Sequence, residues 1–337
     1  RSFRGAAIAF VLLAAACEQH ADPCFTPQSK VEDLRVLGIA VDPADPVADL
    51  QSGTIEAVRL SALIVEPGRG STGSYHVAWA LCVPSTTTPG CANGTVVMSD
   101  AEWKRDSSVE LHVPRDLIAA AEAADPLHGF GGIRVLAELR VDRANPATAT
   151  TPIIFSRTTP AQRNHPPAIQ GLRVTPQGGS TGTAPPPPNP TNVFVGVPTG
   201  LRPVLVPGAM EEYDTVDLDG NRVHLQERVR YSFYATPGLS MGRLLLRSVG
   251  GSVVYYPNGT DVEADEPPPG TPDTPGGLML VEAVRRGGVF GTIWIVARDS
   301  RGGIFWLEVP VDGIEVDPNC ATGGAQTGCA ELDFGCL

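Results

Sequence analysis

From Leu34 onward the chain runs in short stretches where apolar and polar residues alternate, separated by Gly, Pro and Asp turns. Alternation with a period of two is the pattern of a half-buried strand. It predicts strands over 34–43, 54–67, 74–84, 108–114, 132–142 and 151–160, with Val77, Trp79 and Leu81 sharing one face of the third. The stretch 114–126 (PRDLIAAAEAADP) departs from this. It is Ala-rich with helical spacing and has Pro at its start and end, so it predicts one short helix.

The residues 161–167, with Pro166 and Pro167, form an extended and stiff junction. The strand-and-turn style then resumes at 168–176. It is interrupted by the low-complexity loop 176–190 and continues through 192–198, 202–208 and 229–238. Asp219-Gly220 is a hairpin-turn signal. The clearest hairpin is 291–313, turning at 299–303, with Trp294, Val296, Ile304, Trp306 and Val309 read as one alternating series. Many short strands and one minor helix predict a mainly β chain of antiparallel β-sandwiches.

The first residues belong to a different pattern. Arg1 and Arg4 precede the apolar run 6–16 (AAIAFVLLAAA), and Cys17 follows at once. Eleven apolar residues are too few for a membrane-spanning helix, which needs about twenty. The basic, apolar and small-residue order is that of a secretory signal peptide. The ending Ala14-Ala15-Ala16-Cys17 resembles a bacterial lipobox, with Leu13 one place further back than the usual Leu. On this reading Cys17 is the acylated N-terminus of the mature chain and anchors it to a membrane. An ordinary signal peptide cut near Ala16 is the alternative.

The 337 residues are 42% hydrophobic and 18% charged, enough for two domains with cores of their own. A net charge of −12 argues against a protein that neutralises nucleic-acid phosphates or an anionic membrane surface. The only lysines are Lys30 and Lys104.

A family resemblance follows from these segments. WIVARDSRGGIFWLEVPV resembles the last two strands of bacterial immunoglobulin-like domains, and NHPPAIQGLRVTP resembles the start of one. Together with LRVLGIAVDP and AWALC, the order resembles exported bacterial lipoproteins of myxobacterial type over most of residues 31–315. The resemblance implies two immunoglobulin-like antiparallel β-sandwiches in tandem and an envelope location, and no activity. The expected division is a lipoprotein signal peptide at 1–16, a tether at 17–30 and a first sandwich at 31–160. A linker at 161–167, a second sandwich at 168–315 and a Cys-rich tail at 316–337 complete it.

With Cys17 acylated, six cysteines are left for an oxidising compartment. Cys82 and Cys91 flank a turn-rich loop and predict a disulfide. Cys24, Cys320, Cys329 and Cys336 allow three pairings, and the sequence does not choose among them. A zinc site lacks both CxxC spacing and nearby His.

Candidate chemistry is sparse. Ser240 sits in GLSMG, which matches the GxSxG nucleophile elbow, but none of the six histidines follows it in the chain as that fold requires. Asp217, Asp219 and Asn221 place oxygen ligands at alternate positions and are weak calcium candidates. Counted from Asp217, the sixth and twelfth places of an EF-hand loop hold Arg222 and Arg228 instead of Gly and Glu. No P-loop or HExxH motif occurs. Trp79, Trp294 and Trp306 lie in strands and read as core, with a sugar-stacking platform as the sharper alternative.

The expectation is a non-enzymatic envelope lipoprotein without a cofactor, in the outer membrane and facing the periplasm or the surface. It would act as a binding or structural scaffold for another envelope protein through sheet edges or loops. A carbohydrate- or calcium-dependent adhesion module, or a subunit of a surface assembly or filament, is the alternative.

Overall fold

The computed structural model describes residues 31–176 except 70–72, 86, 88, 89, 93, 159 and 161, together with 199–236 and 289–314. It also describes the backbone of short strands at 182–183, 191–194, 239–241, 245–247, 253–255, 261–264 and 279–283. The described chain is mainly β, its sheets are almost wholly antiparallel, and one helix occurs among the described residues.

In the first half, Arg35–Asp42, Val58–Val65 and Ser108–Leu111 form a three-stranded sheet. Thr95–Trp103, Tyr75–Cys82, Ile133–Asp142 and Ala147–Phe155 form a four-stranded one. Alternation places Ile39, Val41, Leu60 and Ile64 of one sheet in the same core as Val77, Trp79, Leu81, Val135 and Leu139 of the other. Trp79 meets Trp103 at 5.7 Å between ring centroids. The helix Arg115–Ala124 starts after Pro114, whose missing N–H is no loss there, and buries Ile118 and Ala121 in that core.

Thr95–Trp103 was not predicted from the pattern. It is an edge strand with two register irregularities against Tyr75–Cys82, at 77/79 and 79/80. Each irregularity shifts the side-chain phase, so the period-two signal disappears from the sequence.

Cys82 and Cys91 are joined in a disulfide, as the flanking turn residues predicted. The Cys91 N–H also donates to Glu138 Oε2 at 2.7 Å, tying the loop to the neighbouring strand. Closing a loop of this length restricts the unfolded chain by roughly 2–3 kcal/mol. Cys82→Ala/Cys91→Ala should lower the unfolding free energy by about that amount in a urea titration, and reductant should then have no further effect on this loop.

In the second half, one sheet has the order 182–183, Ile169–Pro176, Thr199–Leu205, Met279–Ala283 and Leu239–Met241. The other runs Thr191–Phe194, Ile304–Ile314, Val289–Arg298, Val229–Ala235 and Asp261–Ala264. Ile169, Leu172 and Leu201 of the first share a core with Phe233, Ile293, Ile295 and Val311 of the second. Glu212–Val216 and Arg222–Gln226 form a separate hairpin that turns at Gly220, where φ is +83° and glycine is favoured. One expectation is corrected here. Trp294, Val296, Ile304 and Trp306 share a face, but Val309 lies on the opposite one, in the second core. Same-face positions on a strand lie two apart, so Trp306 shares its face with Glu308 and the odd-numbered Val309 points the other way.

A third apolar cluster joins the two halves. Leu37, Leu63 and Val65 of the three-stranded sheet pack against Trp294, Val296, Ile304 and Trp306. The central hairpin strands are therefore apolar on both faces, one toward their own core and one toward the other half.

Candidate functional site

The residues between the halves form a buried polar joint. Its centre is the turn at 299–303. Asp299 Oδ1 accepts the N–H groups of Arg301 at 2.8 Å and Gly303 at 2.7 Å, which fixes the turn. A Cβ at Gly303 would lie 2.1 Å from Asp299 Oδ2, so this close approach requires glycine.

That turn aims Arg301 at carboxylates from both halves. Its guanidinium lies 3.5 Å from Asp45, 3.2 Å from Glu211 and 3.4 Å from Glu227. It donates to the Gln162 carbonyl at 3.0 Å and stacks 4.8 Å from the Tyr213 ring. The junction is equally tied in. Arg163 donates to Glu56 at 2.9 Å, and the backbone N–H of buried Asn164 donates to Asp45 Oδ2 at 3.0 Å. The 161–167 stretch, expected as a stiff linker, is thus packed into the joint over its described residues.

The joint holds more acid than base, and burial sets the balance. Burial raises the carboxyl of Glu227 above its ordinary range, opposed by the backbone N–H of Glu211 and by Arg301. Burial also raises Asp299, opposed by the two turn N–H groups and by Asn164 beside it. These residue types are common on any surface, and only their convergence from positions 45, 163, 211, 227 and 301 marks a site.

Beside the joint lies a cleft of about 440 Å³. One wall is 36–41 from the edge of the three-stranded sheet, and another is 149–154 from the edge of the four-stranded sheet. Tyr234, Arg298, Asp299 and Gly302 complete it from the second half. Arg298 donates to the Leu37 carbonyl at 2.9 Å and to Ser232 Oγ at 2.8 Å, holding the walls together. Pockets of this size between packed units are common ligand sites.

The expected strand addition meets different conditions at each edge of the first half. Thr95–Trp103 is bulged twice, Arg35–Asp42 has an irregularity at 36/38, and Ser108–Leu111 is only four residues long. Irregular and short edges resist pairing. Ala147–Phe155 alone is long and regular in its pairing, and it lines the cleft.

The calcium candidates act as turn residues. Asp217 Oδ1 accepts from the N–H groups of Asp219 at 3.0 Å and Asn221 at 2.8 Å, and Oδ2 accepts from the Asn221 amide at 3.2 Å. These bonds, led by the Asn221 N–H, hold the Asp217 carboxyl below its usual range. No group of three or more His, Cys, Asp or Glu residues able to hold a metal occurs among the described residues. Ser240 lies mid-strand in Leu239–Met241, opposite Glu282 in backbone register, where a nucleophile elbow would need a strand-to-helix turn. Trp79 and Trp294 are fully buried, and Trp306 packs in the joint cluster. Cys17, Cys24, Cys320, Cys329 and Cys336 lie outside the described residues.

The hairpin carries one histidine between two acids. His224 Nδ1 is 2.9 Å from Asp214, and Nε2 is 3.3 Å from Glu212. Asp214 first and Glu212 second raise the imidazole above its ordinary value of 6.5. Because the folded value is raised, this contact stabilises the hairpin fully below pH 6.5 and fades as pH rises through the folded value. An NMR titration should find His224 above 6.5, and Asp214→Asn should bring it down.

No family model matches the chain, and no curated protein matches it. Similar solved structures include a red sea bream transglutaminase, 12% identical, with a TM-score of 0.22, covering 83% of this chain and 31% of that one. A tetra-tandem repeat from the extending region of a large adhesion protein is 14% identical, with a TM-score of 0.20, covering 83% and 73%. Dimeric latent PorU from Porphyromonas gingivalis is 12% identical, with a TM-score of 0.19, covering 84% and 34%. The chain thus spans about a third of the transglutaminase and PorU chains. At such TM-scores none of these likenesses assigns an activity.

Proposed function

We propose that the chain is an exported lipoprotein of the bacterial envelope, built of two immunoglobulin-like β-sandwiches, that works as a binding scaffold and not as an enzyme. The observation that carries this reading is the joint. The apolar cluster around Trp294 and the charged cluster around Arg301 fasten two sheet stacks together, as suits a unit that presents a surface at a fixed geometry. Neither Ser240 nor the acidic hairpin supports a catalytic or calcium-dependent alternative, since each has a turn or strand role. The apolar run 6–16 before Cys17 supports anchoring through an acylated N-terminus. The outer membrane as the place and another envelope protein as the partner belong to the same proposal.

The test is intact mass and fractionation of the protein expressed in a Gram-negative host. The mature chain should start at Cys17, carry acyl chains and sediment with membranes, and Cys17→Ser should release it. A mature protein without acyl groups that stays soluble would overturn the anchored reading.

A further inference from the structure

We propose that the cleft between the halves binds a short extended peptide, paired backbone to backbone with the open edge of Ala147–Phe155 at positions 150–154. The proposal rests on reading the chain as a binding protein, and it names the site and the ligand class.

The direction of the free backbone groups follows from the strand itself. Ser156, which continues this strand, donates its N–H to the Pro46 carbonyl, and its own carbonyl accepts from the Ala48 N–H. Both Ser156 groups therefore point away from Ile133–Asp142, the sole ladder partner of this strand. Backbone groups alternate sides along an antiparallel strand, so those of residues 154, 152 and 150 point the same way. Pro152 gives an independent check. It faces Leu136 in the ladder, and a proline there is tolerated only if its missing N–H belongs on the open side.

Thr150 and Ile154 therefore each offer an N–H and a carbonyl, and Pro152 offers a carbonyl, all on the side where no strand pairs. Positions two apart on a strand repeat about every 6.8 Å, the spacing at which a second strand presents its own groups. Residues 149–152 and 154 all line the cleft, so this open edge faces it. The bonds of Pro46 and Ala48 to Ser156 close the edge beyond Ile154, and Pro152 interrupts its middle. A long strand is thus excluded, and a segment of a few residues is accepted.

The remaining walls fit side chains on such a segment. Val36 and Ile304, both part-exposed, supply apolar surface in the same lining. A row of backbone donors and acceptors favours a peptide over a sugar, whose hydroxyls have no such repeat.

The experiment uses the full mature chain and an equimolar mixture of acetylated, amidated tetrapeptides of Ala, Val, Ile, Leu and Thr, read by affinity-selection mass spectrometry. Cellotriose and maltotriose form a second arm. Peptides should be retained, and the best of them should slow amide exchange at Thr150 and Ile154. Thr150→Pro removes a donor on the open side without touching a ladder bond. It should weaken binding by about tenfold or more, whereas Thr150→Ala should stay within about twofold. Should Thr150→Pro misfold, the exchange measurement on the unaltered chain decides alone. No retention of any peptide at about 1 mM overturns the proposal. So does exchange protection elsewhere only, or retention of the trisaccharides without peptides. Acylation of Cys17 is measured separately, so the anchored reading stands or falls independently of this result.

Discussion

Replacing Arg301 by Leu is expected to lower stability by about 3 to 5 kcal/mol, the range for leaving buried charges without their partner. Asp45, Glu211 and Glu227 converge on this one guanidinium, and the Glu227 side chain is fully buried. Without Arg301 the Glu227 carboxyl, already raised by burial, resists ionisation more strongly. A raised carboxyl contributes stability that is present at low pH and lost as pH rises through its folded value. The variant should therefore be most deficient near neutral pH and recover toward pH 4, as read by urea titrations across that window. Adding Asp45→Asn and Glu227→Gln to Arg301→Leu should restore part of the loss, because two of the three orphaned charges are then gone. A deficit that is flat with pH would mean that Arg301 acts by packing against Tyr213 and not by charge.

Trp294→Ala should cost about 3 to 5 kcal/mol by emptying the apolar contact between the halves. Trp294 is fully buried there, against Leu37, Leu63 and Val65 on one side and Trp306 on its own. The cost should appear in a particular way. The variant should melt in two calorimetric transitions where the unaltered chain melts in one, because each half keeps its own core while their coupling is lost. The indole N–H of Trp294 is buried without a hydrogen-bond partner. Trp294→Phe keeps most of the apolar area and removes that orphaned donor, so it should retain a single transition at a much smaller cost.

The joint and the cleft connect these effects to function. A surface built from edge strands of one half and a turn of the other exists only while the halves stay fastened. Both substitutions should therefore also loosen whatever the cleft holds, although neither residue lines it.

Much of the fold was legible in the sequence, and particular residues show why. The alternation in 74–84 and 132–142 is strict because each strand has one face in a core and one outside it. The helix at Arg115–Ala124 is announced by Pro114 and by helical spacing. The disulfide between Cys82 and Cys91 follows from two cysteines around a short turn-rich loop. All of these depend on residues near one another in the chain, and local spacing is what a sequence displays directly. Thr95–Trp103 stayed hidden because its irregular pairing breaks the phase, and Val309 was placed on the wrong face because its strand is apolar on both.

The joint was not legible at all. Asp45, Arg163, Glu211, Glu227 and Arg301 are ordinary charged residues in five separate stretches, and each alone reads as a solvated side chain. Their meeting depends on how two sheet stacks press together, which requires contacts more than a hundred residues apart in the chain. The direction of the free groups at 150–154 likewise depends on the ladder with Ile133–Asp142 and on the bond from Ser156 to Pro46. Period-two patterning by itself determined which residues form strands, and which faces are apolar. Which edges stay open, which charges are buried together and where a cleft remains were decided only by tertiary packing, because desolvation and pairing act between surfaces and not along the chain.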